Sequence, residues 1–308
     1  MPKISIIVPA YNEEKTIAAT LESLLHQTYS DYEIIVINNN SKDKTALIAK
    51  KYVQRVYNEK KQGYHNAVNY GVTQAKAPII TICDADSMYP PNWLAQIMQE
   101  FEQNPEIVAV YGTVQFHDYN FFVNFVSHVG FTFFIRLSKI LGFDNTAGFN
   151  FAMKKKAYQK VGGYNPKIYD NILTDVELGR RLQKIGTLKQ NHQITVYTSS
   201  RRFKEDGLLK TTLYFLDAWY RLNYGKTQKI NYTQYNMHWR NKSRSPSIPL
   251  AWLKEVKTIL ETGKDELYER QKKMQKQGKS ALDVALKRLN TAIEFTDKHI
   301  TSLMGKMK

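Results

Sequence analysis

The chain has 308 residues, 43% hydrophobic and 12% aromatic, which suits a packed core and excludes wholesale disorder. Its formal net charge is +16, and its one cysteine, Cys83, excludes an intrachain disulfide or a cysteine-based zinc cluster and fits a reducing, cytoplasmic compartment. This length admits one large α/β domain with an extension, or two modest domains.

The opening "MPKISIIVPAYNEE" carries too short an apolar run, and no small-residue cleavage site, to read as a signal peptide. Instead "ISIIVP" reads as a buried strand, and Ile17, Leu21, Leu24 and Leu25 recur after it at helical spacing. "YEIIVIN" is a second strand, "TALIAKKY" a helix start and "VQRVY" a short third strand. Ala67, Val68, Gly71, Val72 and Ala75 mark another helix face before the strand "PIITIC". Trp93, Leu94, Ile97, Met98 and Phe101 form the next helix face, and "IVAVYG" follows. Such alternation predicts a mostly parallel sheet covered on both faces. In sheets of that kind ligands bind beyond the carboxyl ends of the strands. Four of those ends, "PAYNEE", "NNNSKDKT", "NEKKQGYHNA" and "DADS", carry more polar groups than a turn needs.

Between Phe121 and Phe143 the chain turns aromatic, but Asn124, His128, Arg136 and Lys139 interrupt it, so it reads as buried or peripheral to a membrane and not as a span. "AGFNFAMKKKAYQKVGGYNP" resumes an α/β pattern, and past Arg202 the pattern is helical and rich in lysine. Residues 1–200 hold 21 Lys+Arg against 17 Asp+Glu, and residues 201–308 hold 23 against 11. The positive excess therefore sits in the last third, where it suits an anionic membrane surface or simply a solvated basic face. Nucleic acid is disfavoured as a partner, because its binders interleave basic and aromatic residues on a sheet or groove and this charge lies mostly outside the α/β region. No G-x-G-x-x-G follows the first strand, and no P-loop is present.

Two acidic positions carry the chemistry. Asp84 and Asp86 flank Ala85 at the end of an apolar strand, close enough to repel one another unless a cation intervenes. A magnesium-like ion takes one or two carboxylates and completes its shell with phosphate oxygens; the alternative is a solvated acidic turn. In "ILTDVELGRRLQKIG", Thr174 and Glu177 read as a capping box ahead of Leu178, Leu182 and Ile185. Asp175 then falls in the first helical turn, where its plain role is contact with the helix dipole.

Taken jointly, "SIIVPAYNEEKTIAATLESLLHQTY", "YEIIVINNNSKDKT", "GYHNAVNYGVTQAKAPIITICDADS" and "TDVELGRRLQKIG" resemble family 2 glycosyltransferases of the GT-A fold over about residues 3–203. The resemblance implies a mostly parallel, Rossmann-like sheet flanked by helices in a domain over 1–205. Its nucleotide-binding half would be 1–115 and its acceptor-side half 116–205, with a basic helical C-terminal extension over 206–308. It also implies inverting transfer of a sugar from a nucleotide diphosphosugar, a UDP-sugar before others, with Mn²⁺ or Mg²⁺ as cofactor. Pro9, Ala10, Tyr11, Asn12 and Glu13 would meet the base and ribose, although Asn12 and the glutamates equally suit a helix start. Asn39 stands where the family often has an aspartate on the base, while Asp43 keeps the family pattern or caps a helix. Gly63, Asn66 and Asn69 would border the nucleotide.

By the same resemblance Asp84 would contact ribose or reach the metal through water, and Asp86 would bind the metal directly. His192, expected just before a strand, is either a further ligand or structural. Asp175 would be the general base, with Thr174 in place of the family's glutamate. Gly148 and Asn150 would line the cleft under donor sugar and acceptor. Arg201 and Arg202 would grip the diphosphate or an anionic acceptor, or serve the surface. The absence of a Gln-x-x-Arg-Trp signature favours transfer of one sugar over polymerisation. The expected setting is cytoplasmic and peripheral to the membrane, with a lipid-linked sugar, glycan or protein as acceptor. A catalytically idle relative is the other reading that Asn39 and Thr174 allow.

Overall fold

The computed structural model describes residues 1–118, 146, 148–165, 173–201 and 204. Phe121–Phe143, Arg202, the expected boundary at 205 and the extension 206–308 lie outside the described residues.

Strands and helices alternate as the periodicity predicts. In order they are β1 (Ile4–Ala10), α1 (Ile17–Leu25), β2 (Tyr32–Asn38), α2 (Thr45–Tyr52), β3 (Val56–Asn58), α3 (Tyr64–Gln74), β4 (Ile79–Ile82), β5 (Ser87–Met88), α4 (Trp93–Gln103) and β6 (Ile107–Phe116). A 3₁₀ turn (Gly148–Asn150) leads into β7 (Phe151–Lys154), α5 (Lys155–Lys160), α6 (Thr174–Gln183) and β8 (Thr187–Thr198). The eight strands form one sheet in the order β3-β2-β1-β4-β7-β6-β8-β5. β1 pairs in parallel with β2 and β4, β2 with β3, and β6 with β8; β7 is antiparallel to β4 and β6, as β5 is to β8.

Continuous apolar strands are what a sheet covered on both faces requires, and β1 shows why. Its Ile4, Ile6 and Val8 join α1 and α4 in one core, where Leu21, Leu24, Trp93 and Ile97 are buried. Ile7, between them in sequence, joins the opposite core with Ile35, Ile37, Val68, Val72, Leu178 and Leu182. Gly71 lets α3 approach closely, since a Cβ there would stand 2.5 Å from Ile7 Cγ2.

The register decides where function can gather. β1, β2, β3 and β4 all run the same way, so the loops after them share one edge. The antiparallel β7 places its first residue, Phe151, opposite Ile82 at the end of β4, so the turn before it sits at that same edge. Through β7, β6 and β8 are brought into the direction of β4, and the end of β8 pairs with both Phe116 and Ser87. Alternation alone does not disclose this antiparallel insertion. Among the described residues no helix is long and apolar enough to cross a membrane.

Candidate active site

Beyond the carboxyl edge, the first two loops are laced together by side chains. Asn12 and Asn40 adopt positive φ (54° and 62°), a conformation asparagine tolerates better than most residues. The Asn12 amide donates to Ser41 Oγ at 3.1 Å, and Asn12 Oδ1 accepts from the Lys42 amide at 2.8 Å. The Glu13 amide donates to Thr45 Oγ1 at 2.8 Å, and Asp43 accepts from the Glu14 amide at 3.1 Å and from both Thr45 donors. Burial works against ionisation of Asp43, but these donors outweigh it and hold its carboxyl below the usual range. Pro9 and Ala10 end β1 beneath this lacing, and Tyr11 is exposed above it.

Asn39 explains its own departure from the family's aspartate. It is 3% exposed; its Nδ2 donates to the carbonyls of Glu59 (3.1 Å) and Lys61 (2.8 Å), and its Oδ1 accepts from the Gly63 amide at 2.7 Å. Only an amide can both donate and accept in this way; an aspartate would turn a carboxylate towards two carbonyl oxygens. Gly63, at φ 129°, occupies backbone space that favours glycine. Asn66, in the first turn of α3, donates back to the Gln62 carbonyl at 3.0 Å. Asn69 is directed elsewhere: its Nδ2 donates to the Tyr164 carbonyl at 2.9 Å, and its Oδ1 accepts from the Tyr164 amide and the Tyr158 hydroxyl.

β4 stops at Ile82, so Asp84 and Asp86 are not on an extended strand; the chain turns at Ala85 and Asp86. Ala85 is buried while both acids are partly exposed, so the turn still presents the two carboxylates on the open side. The loops after β1 and β4 flank the point where strand order reverses, the usual ligand crevice of such sheets. Arg201, following β8, spans that crevice. Its guanidinium donates to Glu13 Oε1 at 2.9 Å, Glu13 Oε2 at 3.2 Å and Asp86 Oδ2 at 3.1 Å.

The second acid lies across from them. Asp175 occupies the first turn of α6 as expected, but the expected capping box is absent. Leu173 is the residue before the helix, with no side-chain cap, and Glu177 pairs with Arg181 instead. Thr174, in place of the family's glutamate, is therefore inside the helix and 6% exposed. Tyr164 donates its hydroxyl to Asp175 Oδ1 at 2.5 Å, the Gly148 amide hydrogen-bonds the same carboxylate, and Thr146 donates to the Asp175 carbonyl. Burial nevertheless pushes the Asp175 carboxyl up from its ordinary value, with the Tyr164 and Gly148 donors resisting. A Cβ at Gly148 would come within 2.5 Å of Asp175 Oδ1, so this glycine keeps space for the carboxylate. Tyr64 links the two acidic centres: its hydroxyl is raised by burial and then by the charges of Asp175 and Asp84.

Two residues expected at the site serve its frame. Asn150 is 1% exposed, and its amide is spent on the Thr113 and Ile194 carbonyls and the Trp93 indole N–H. It fixes the turn that carries Gly148 and does not line a cleft. His192 lies within β8 at the irregular stretch of its pairing with β6, not before a strand, and well upstream of the Thr198 end that meets Ser87. Among the described residues no group of three or more His, Cys, Asp or Glu is placed to hold a metal ion. Tyr164 and Tyr64 have roles that sequence reading missed, as does Asp118, just past β6, which accepts from the Ser200 amide in the segment that carries Arg201; only contact could reveal them, because nothing in "GGYNP" marks a tyrosine that reaches an acid.

A sequence profile described as Glycosyl transferase family 2 matches residues 5–162, more than half of the chain. The chain belongs to that family. Among curated relatives, the poly-beta-1,6-N-acetyl-D-glucosamine synthase of Staphylococcus epidermidis is 29% identical over 170 residues, covering 52% of this chain and 41% of that protein. The chain spans about half the length of the curated relatives it matches. The mannosyltransferase PcManGT of Pyrobaculum calidifontis, solved with GDP-Man and Mn²⁺, superposes with a TM-score of 0.55 at 18% identity, over 94% of this chain and 87% of that one. The S. aureus TarS fragment 1-349 with UDP-GlcNAc gives 0.51 at 18% identity, over 65% and 59%. At such identity these likenesses establish the GT-A fold, the class that the motifs imply.

Proposed function

We propose that this family 2 protein transfers one sugar from a nucleotide diphosphosugar, with a UDP-sugar as first candidate, to a hydroxyl acceptor in cell-envelope or surface glycan assembly, with inversion. The observation that carries the reading is the pairing of two acidic centres at one sheet edge. Asp84 and Asp86 follow β4 in the turn after it, and a partly buried Asp175, oriented by Tyr164 and Gly148, lies near enough to Tyr64 for its charge to raise that hydroxyl, as the charge of Asp84 also does.

Inverting displacement requires a group that takes the proton from the attacking hydroxyl while the diphosphate leaves from the opposite face. Asp175 is that base: burial raises its affinity for the proton it must accept, and Tyr164 Oη fixes which oxygen remains to accept it. On the donor side the laced loops over residues 10–14 and 38–45 bound the nucleoside, and Gly63 brings backbone close to it. A divalent ion fits here, because Asp84 and Asp86 supply the one or two carboxylates that Mg²⁺ or Mn²⁺ uses when phosphate oxygens complete the shell. Bound there with the diphosphate, it would offset charge growing on the leaving group. The mannosyltransferase with GDP-Man and the TarS fragment with UDP-GlcNAc share the fold across two bases, so the donor is settled by a panel. Thermal stability is measured against UDP, GDP, dTDP and CMP with Mn²⁺. A shift for one nucleotide that Asp86→Asn removes supports the site; no shift for any counts against it. Asp175→Asn should lower transfer by about 10²- to 10⁴-fold while that nucleotide shift persists. Full activity in the variant would remove Asp175 as the base.

A further inference from the structure

Among the described residues, the one that spans the crevice between Glu13 and Asp86 is a cation of the chain itself. Arg201 sits on a short segment after β8 that is fastened independently of the crevice. Asp118, just past β6, accepts from the Ser200 amide at 2.7 Å and Ser199 Oγ at 3.2 Å, and pairs with Lys204 Nζ at 3.1 Å. Arg201 then donates its own amide to Ser199 Oγ at 3.1 Å and reaches across to Glu13 and Asp86. The side chains of Glu13 and Asp86 are 16% and 17% exposed, and that of Arg201 is 42% exposed. The acids thus lie beneath, and the guanidinium covers them from the solvent side.

Two partly buried carboxylates this close are costly without a compensating charge. Arg201 supplies it in a planar fork, so a divalent ion approaching Asp86 alone must break a charge-assisted hydrogen bond and then sit beside a fixed positive charge. A diphosphate changes that balance, because it offers the same fork a bidentate anionic partner of equal quality. We propose that Arg201 is an internal counter-ion that obstructs the metal position in the donor-free protein and is drawn off Asp86 by the diphosphate, so that divalent ion and nucleotide bind tightly only together. This rests on the donor-site reading above, and it adds a binding order to it: Arg201 is a positioning residue, and its effect on metal binding is separable from its grip on phosphate.

The test is Mn²⁺ binding to the full-length chain, followed by the loss of the free-ion paramagnetic resonance signal, with and without UDP or whichever nucleotide the stability panel selects. Wild type should bind Mn²⁺ weakly alone and tightly with nucleotide. Arg201→Gln should bind Mn²⁺ alone about ten- to a hundredfold more tightly than wild type, and nucleotide should add little. Arg201→Lys keeps the charge without the fork and should fall between the two; it takes the place of the Gln variant if that variant does not fold. Unchanged Mn²⁺ affinity in the Arg201 variants, with nucleotide-linked binding still requiring Asp86, would overturn the blocking role and leave the donor site standing. Undiminished Mn²⁺–nucleotide binding in Asp86→Asn would instead overturn the metal reading, and this inference with it.

Discussion

Asp175 is costly where it stands, and the cost is measurable. A carboxyl whose affinity for its proton is raised by folding contributes fully to stability only below the unfolded value of about 3.8, and that contribution is lost as pH rises through the raised value. At pH 7 the ionised, partly buried group therefore weakens the fold. Asp175→Asn, which keeps an oxygen for Tyr164, should melt at a higher temperature than wild type at pH 7, with the difference vanishing towards pH 3. Calorimetry over that range checks this, and a variant less stable at pH 7 would contradict it. Tyr164→Phe probes the same group from the other side. The Tyr164 hydroxyl favours the ionised form, as do the amides of Gly148 and of Asp175 itself, and the Tyr64 phenol is among the described groups nearby. Removing that donor should move the acid limb of the kcat/KM profile to higher pH while KM for the donor stays unchanged. A merely structural tyrosine would lower activity evenly across pH.

At the scale of elements, helix faces and buried strands were legible because both depend on periodicity, which one sequence displays. Ile17, Leu21 and Leu24, or Trp93, Leu94 and Ile97, announce a face without any partner being known. What stayed hidden depends on partners: the antiparallel β7 beside β4, the short β5, the amide of Asn150 turned inward, and Asn69 holding Tyr164. Even the laced loops were read correctly only in their polarity, since no spacing rule says that Asp43 faces the Glu14 amide. Two substitutions measure these contacts. Asn39→Asp replaces two donated hydrogen bonds with repulsion against the Glu59 and Lys61 carbonyls, at about 1–3 kcal/mol for each buried group left unpaired. Its melting temperature should fall by several degrees, despite bringing the loop nearer the family's usual residue; an unchanged value would mean that the 59–63 loop holds without this anchor. Gly71→Val should lower stability by about 1–3 kcal/mol by forcing α3 away from Ile7, a shift that denaturant titration detects as a lower midpoint with a similar slope.

Across the whole molecule, charge and chemistry are separated along the chain. The acids that define the crevice all precede residue 176, whereas residues 201–308 carry 23 Lys+Arg against 11 Asp+Glu. An excess of this size suits either a solvated basic face or a further anionic surface. We propose that surface to be a membrane leaflet rich in anionic lipid, where a glycan acceptor on a lipid carrier would also be found. Each Lys or Arg near such a leaflet is worth about 1 kcal/mol, and screening shortens the reach of that attraction from about 30 Å at 0.01 M salt to about 3 Å at 1 M. The full-length chain should therefore cosediment with vesicles containing phosphatidylglycerol at low salt and be released as salt is raised, and it should ignore vesicles of phosphatidylcholine alone. Equal retention on both vesicles at high salt would assign the contact to apolar insertion, and absence of binding at low salt would remove the membrane from the account. Either result leaves the crevice chemistry untouched, because Asp84, Asp86 and Asp175 lie outside that basic stretch and Arg201, within it, is held by Glu13 and Asp86.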